Sequence, residues 1–107
     1  MAHSEIDVDE FARRLDDGVT VVDVRQPAEF EEARIEGALL IPLAELPDRL
    51  GELPEGKPLL VVCRSGARSA RACEFLGEQG YDSTNVAGGM LAWIDAGREV
   101  ASGSDGG

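Results

Sequence analysis

The sequence is poor in the groups that most often carry chemistry. Its single histidine is His3, at a terminus, where chains commonly fray. No Ser-His-Asp or Cys-His pair can therefore form inside the fold unless that tail folds back. The two cysteines, Cys63 and Cys73, are too few for a disulfide framework, and with one terminal histidine they do not make a structural zinc site. Lys57 is the one lysine. Lys and Arg together number 10 against 21 Asp and Glu, a formal net charge of -11. That balance argues against a nucleic-acid partner, which needs a basic footprint, and against docking on anionic membranes. The longest apolar runs, such as Leu59 to Cys63, are far too short to span a bilayer. The N-terminal stretch is acidic and lacks the apolar centre of a signal peptide, so the expectation is a soluble cytoplasmic protein. What remains for chemistry is cysteine, arginine, carboxylates, hydroxyls and backbone N–H groups.

A chain of 107 residues with 43% hydrophobic content has room for one domain with a modest core. Short apolar runs alternate with helical patterns. Asp7 with Glu10 three residues on fits a capping box for a helix that Gly18 stops. Val19 to Val24 reads as a buried strand. Pro27 suits the first turn of a helix continuing to Arg34. Gly37 to Pro42 reads as a short strand, and Leu43 to Leu50 as a short helix interrupted by Pro47. Pro58 to Cys63 is the most strand-like run, without one polar side chain between Leu59 and Val62, as in parallel sheets covered on both faces. A helix is expected over Ser69 to Gln79, a strand at Asn85-Val86, and a last helix over Met90 to Ala96 carrying Trp93 towards the core. The Gly/Ser/Asp composition of residues 101–107 predicts a disordered tail, which leaves residues 1–100 as the domain. This alternation predicts an α/β domain with a mainly parallel central sheet. Ligands in such sheets bind beyond the carboxyl ends of the strands, where Cys63 stands.

The segment from Cys63 to Ser69 can be read from its physics. A cysteine ends a buried strand, Arg64, Ser65, Gly66, Ala67 and Arg68 follow as a loop, and a helix begins near Ser69. A curled loop of this kind points backbone N–H groups inward as an anion-binding nest, and the helix start adds partial positive charge. Arg64, Arg68 and Arg71 place cations within eight residues of the thiol in a chain that is acidic elsewhere. Such surroundings lower a thiol pKa and make a nucleophile without a histidine base.

These seven residues resemble the active loop of single-domain rhodaneses, the sulfurtransferase family. Asp23-Val24-Arg25 with Glu29-Phe30 is similar to the family's first motif. Ile35, Gly37-Ala38 and Ile41-Pro42 are similar to its second, and Gly88 to Trp93 with Ala96-Gly97 to its C-terminal one. The resemblance implies a five-stranded parallel sheet flanked by helices on both faces, with no cofactor and no metal. It implies that Cys63 takes sulfane sulfur from thiosulfate or a persulfide donor and passes it to a thiol or cyanide. Arg64 and Arg68 would bind the anionic donor, and Ser65 and Ser69 would hydrogen-bond it within the loop that Gly66 and Ala67 complete. Rhodanese-like phosphatases carry a loop one residue longer, Cys-x5-Arg, so the Cys-x4-Arg spacing here resembles the sulfur-transferring branch. Two other functions fit the resemblance: a relay module loaded by a cysteine desulfurase for delivery to a partner protein, and a regulatory domain without turnover.

Several residues carry two readings. Ala33-Arg34 stand where many members have Gly-His, and Arg34 either adds to the positive field or faces water, the expectation for most arginines. Asp23 and Arg25 either line the pocket or fix a loop, and Glu29 could pair with Arg25. Cys73 is either a resolving thiol or a packed one, packing being expected. Gly88-Gly89 either lets backbone approach the active loop or makes a turn.

Overall fold

The computed structural model describes residues 4–103. Five strands form one sheet: β1 (Ser4–Ile6), β2 (Thr20–Asp23), β3 (Leu39–Leu40), β4 (Leu59–Val62) and β5 (Ser83–Val86). Their order is β1-β5-β4-β2-β3, and every pairing is parallel. Four helices connect them: α1 (Val8–Asp16), α2 (Pro27–Glu32), α3 (Ala67–Glu78) and α4 (Gly89–Asp95).

β4 sits at the centre because all four of its side chains are apolar and both faces of the sheet are covered. Alternation along the strand divides the core in two. Leu59, Val61 and Cys63 pack with Val22, Val24 and the inner face of α3 at Ala72, Cys73 and Leu76. Leu60 and Val62 point the other way, to Val21, Phe11 of α1, and Met90 and Trp93 of α4. Phe11 meets Trp93 edge-on, with ring centroids 5.2 Å apart. No helix of the described residues is long and apolar enough to cross a membrane.

Local chemistry sets the boundaries. Asp7 caps α1 by accepting from the Glu10 N–H at 2.9 Å, but Glu10 does not close a box: its carboxylate turns to Arg13 and Arg14. The segment from Leu43 to Asp48 winds as a 3-10 helix rather than an α-helix, with Pro47, which has no N–H to donate, inside it. The strand expected over Gly37 to Pro42 shrinks to Leu39–Leu40, and α3 begins at Ala67, two residues early. Ser4–Ile6, given no element from the sequence, is an edge strand whose residues pair with Thr84, Asn85 and Val86.

One expectation fails at Arg34. Arg34 is 3% exposed rather than solvated. Its guanidinium stacks over Phe30 at 5.0 Å and donates to the carbonyls of Phe30 and Gly103. Ala101 to Gly103, read from composition as the start of a disordered tail, are held by those bonds. Arg34 and Ala101 exchange backbone hydrogen bonds at 2.9 Å in both directions, and the Gly103 N–H reaches the Glu31 carbonyl. Residues 104–107 lie outside the described residues, as does His3.

Candidate active site

Cys63 follows the last residue of β4, so the central strand delivers its sulfur to the carboxyl edge of the sheet, and the residue is 1% exposed. The chain then turns into α3 through Gly66, whose φ of 106° is left-handed and accessible without strain only to glycine. That turn aims the loop at the sulfur. The Gly66 N–H donates to Cys63 Sγ at 3.1 Å, and Ser69 Oγ stands 3.2 Å from the same sulfur. Burial pushes the thiol up. The Ser69 hydroxyl and the backbone N–H groups of Ser69, Gly66 and Ser65 pull it down and prevail, so its pKa lies below the ordinary thiol value. The activating groups are thus mainly hydrogen-bond donors, where the charge pattern of the sequence had pointed to arginines.

The arginines have separate tasks. Arg25 is buried against Asp23 through Nε and Nη2, at 2.9 and 2.7 Å, and also donates to the Glu29 and Ala33 carbonyls. It therefore fixes the C-terminal end of α2, as the loop-fixing reading required. Glu29 does not pair its carboxylate with Arg25. Both of its oxygens accept from Arg68, at 2.9 Å each, across 39 residues of sequence. The Arg68 guanidinium holds the Glu29 carboxyl far below its usual range, at about 2. Arg64 is exposed and makes no ion pair among the described residues. Arg71 is exposed on α3, and so are Ser65 and Ala67 at the loop's outer edge.

The Gly88-Gly89 pair does bring backbone onto the loop. A Cβ on Gly89 would lie 2.3 Å from the Cys63 carbonyl oxygen and 2.6 Å from that of Arg64. Those carbonyls accept from the Met90 and Leu91 N–H groups at 2.8 and 2.9 Å. The first turn of α4, whose N–H groups have no partner within the helix, is thereby completed by the active loop, and the loop is held from behind. A small cleft of about 90 Å³ opens beside it, between α2 and α4, with Glu29, Glu32, Arg64, Leu91 and Ile94 on its walls.

One residue of the site escaped the sequence reading. Asn85 of β5 is buried, its Oδ1 lying 2.5 Å from Ser69 Oγ and its Nδ2 donating to Glu5 and to the Gly66 carbonyl. The available signal was a side chain with both a donor and an acceptor in a strand predicted to be covered, since a buried amide must find partners. Cys73 is packed: it is 2% exposed, and burial pushes its thiol up to about 11. Among the described residues no three His, Cys, Asp or Glu side chains gather as metal ligands.

The chain that carries this loop and this five-stranded parallel sheet is similar to known proteins. The model of the rhodanese-like domain fits residues 7–96. The sulfurtransferase of Allochromatium vinosum is 39% identical over 102 residues, covering 92% of this chain and 95% of that protein. The thiosulfate sulfurtransferase GlpE of Shewanella oneidensis is 35% identical over 79 residues, 73% of this chain and 78% of that one. Among solved structures, a rhodanese-related protein from Thermoplasma volcanium superposes with a TM-score of 0.88 at 33% identity, covering 92% of this chain and 98% of that one. The chain belongs to the rhodanese-like domain family.

Proposed function

We propose that the protein is a sulfurtransferase that carries sulfane sulfur as a persulfide on Cys63. The observation that carries this reading is the ring of donors on the sulfur. The Gly66 N–H and the Ser69 hydroxyl stand 3.1 and 3.2 Å away, at the mouth of a loop whose N–H groups favour the thiolate. The same ring suits a persulfide, whose terminal sulfur is also an anion. Family membership and the sulfurtransferase relatives support the chemistry.

In the loading step the Cys63 thiolate attacks the outer sulfur of thiosulfate or of a persulfide donor. The donor's S–S bond breaks, sulfite or a thiol leaves with the bonding electrons, and a new S–S bond forms on Cys63. The acceptor, cyanide or a thiol, then attacks the terminal sulfur and returns the Cys63 thiolate. This is covalent nucleophilic catalysis with fixed donors stabilising the charge. Arg64 meets the anionic donor. Ser65, Gly66, Ala67 and Ser69 form the cradle, and Arg68 anchors it to α2.

Intact mass after incubation with thiosulfate or an organic persulfide, on the wild type and Cys63→Ser, tests this. The wild type should gain one sulfur atom and lose it to cyanide, and Cys63→Ser should gain none. Loading by a cysteine desulfurase alone would favour a relay module instead. A wild type that no donor loads would overturn sulfur transfer at Cys63.

A further inference from the structure

The mouth of the site carries less positive charge than its arginines suggest. The charged residues lining the cleft beside the loop are Arg25, Glu29, Glu32 and Arg64, and two of them are paired. At the end of β2 and just beyond it, Asp23 and Arg25 form a buried pair of zero net charge. From α2 and the loop, Glu29 and Arg68 form a second, with both guanidinium Nη atoms committed. Their side chains are 26% and 34% exposed, so water separates them little. Two charges remain on the cleft, Arg64 and Glu32, of opposite sign. Arg71 is solvated on α3, and α4 presents no charge there but two aliphatic side chains, Leu91 and Ile94, exposed by 47% and 49%.

We infer that Glu29 selects the sulfur donor: by neutralising Arg68 it leaves a mouth suited to an organic persulfide and disfavours dianionic thiosulfate. This rests on the reading of Cys63 as a sulfur carrier. A dianion approaching a chain of net charge -11 is repelled twice as strongly as a monoanion. On arrival it finds one cation, Arg64, offset by Glu32. An organic persulfide R–S–S⁻ brings one charge for Arg64 and an apolar body for Leu91 and Ile94, whose burial from water is favourable. The balance is simple: the Cys63 thiolate forms a bond to the persulfide's terminal sulfur, the persulfide's own S–S bond breaks with its electrons leaving on RS⁻, and the thiol R–SH departs once a proton from water is taken up.

The experiment follows Cys63 loading by time-resolved intact mass, with thiosulfate and with butyl persulfide. It uses the wild type, Glu29→Gln, Glu29→Gln/Arg68→Gln and Leu91→Ser/Ile94→Ser. Releasing one cation should raise the second-order rate constant for thiosulfate about three- to tenfold in Glu29→Gln, with the gain shrinking at high salt. Loosening the loop would slow both donors alike, so butyl persulfide serves as the internal reference and the ratio of the two rates carries the result. Adding Arg68→Gln should cancel the gain, and Leu91→Ser/Ile94→Ser should slow butyl persulfide alone. A Glu29→Gln enzyme whose two rates keep the wild-type ratio would overturn the inference. A wild type that neither donor loads would instead overturn the carrier reading beneath it.

Discussion

Ser69 Oγ lies 2.5 Å from Asn85 Oδ1, and a hydroxyl has one proton to give. The same oxygen stands 3.2 Å from the Cys63 sulfur. Asn85 cannot turn its amide, because its Nδ2 is committed to two acceptors, Glu5 and the Gly66 carbonyl. With a neutral thiol, S–H donates to Ser69, which donates to Asn85. With a thiolate, the Ser69 proton must turn to sulfur. Ser69→Ala removes that donor, and a hydrogen bond to a charged group contributes about 1.5–3 kcal/mol. Iodoacetamide should alkylate the variant roughly tenfold more slowly at neutral pH, with the rate-against-pH curve displaced upward. An unmoved curve would show that Ser69 does not stabilise the thiolate.

The two cysteines should be separable by the same reagent. Donors hold Cys63 below the ordinary thiol value, whereas burial holds Cys73 at about 11. At pH 7 to 8 the folded protein should take one alkyl group, on Cys63, and Cys63→Ser none over the same time. Peptide mapping of the labelled protein checks both.

Gly89 has a φ of 57° and no room for a Cβ, since the Cys63 and Arg64 carbonyls occupy that space. Gly89→Ala therefore combines left-handed strain with displacement of the loop. It should cost more than about 3 kcal/mol and lower the Tm by more than about 10 °C. Gly18, with a φ of 77° and nothing within 4 Å of a built Cβ, is the control. Gly18→Ala meets strain alone, about 1–2 kcal/mol, and should leave Cys63 alkylation unchanged. Melting curves and alkylation rates on both variants make the comparison.

Acid should weaken the fold through Glu29. Its carboxyl is drawn from 4.5 to about 2 by Arg68, so its stabilisation is complete above about pH 4.5 and is lost as the pH falls towards 2. After discounting for partial exposure, the pair contributes about 1 kcal/mol. The wild type should melt about 4–8 °C above Glu29→Gln at pH 6, and the gap should close between pH 4.5 and 2. A gap that widens on acidification would contradict the assignment.

What the sequence disclosed depended on how local the cause was. β4 was legible because Leu59 to Val62 carry their own reason to be buried, and the Cys63 loop because all of its residues are adjacent. β1 was not, because Ser4, Glu5 and Ile6 have weak strand character of their own, and the edge of β5 supplies their partners. The partners of Arg34 and Arg68 could not be read either. Arg34 depends on Gly103, 69 residues away, and Arg68 on Glu29, 39 residues away. In both cases the competing local expectation, a solvated arginine or one free for an anion, was reasonable on sequence alone. Asn85 was legible only as part of a short strand, because the Ser69 hydroxyl it meets lies 16 residues away.

The carbonyls of Cys63 and Arg64 are held by amides of Met90 and Leu91, and β1 closes on β5, the last strand. During synthesis, which proceeds from the N-terminus, the thiol emerges well before the segment that braces it. A chain ending before Leu91 thus bears Cys63 without the amides that hold its loop from behind. The brace behind the thiol is complete only when the first strand and α4 have both docked, so segments distant in sequence must meet before the Cys63 loop is fixed.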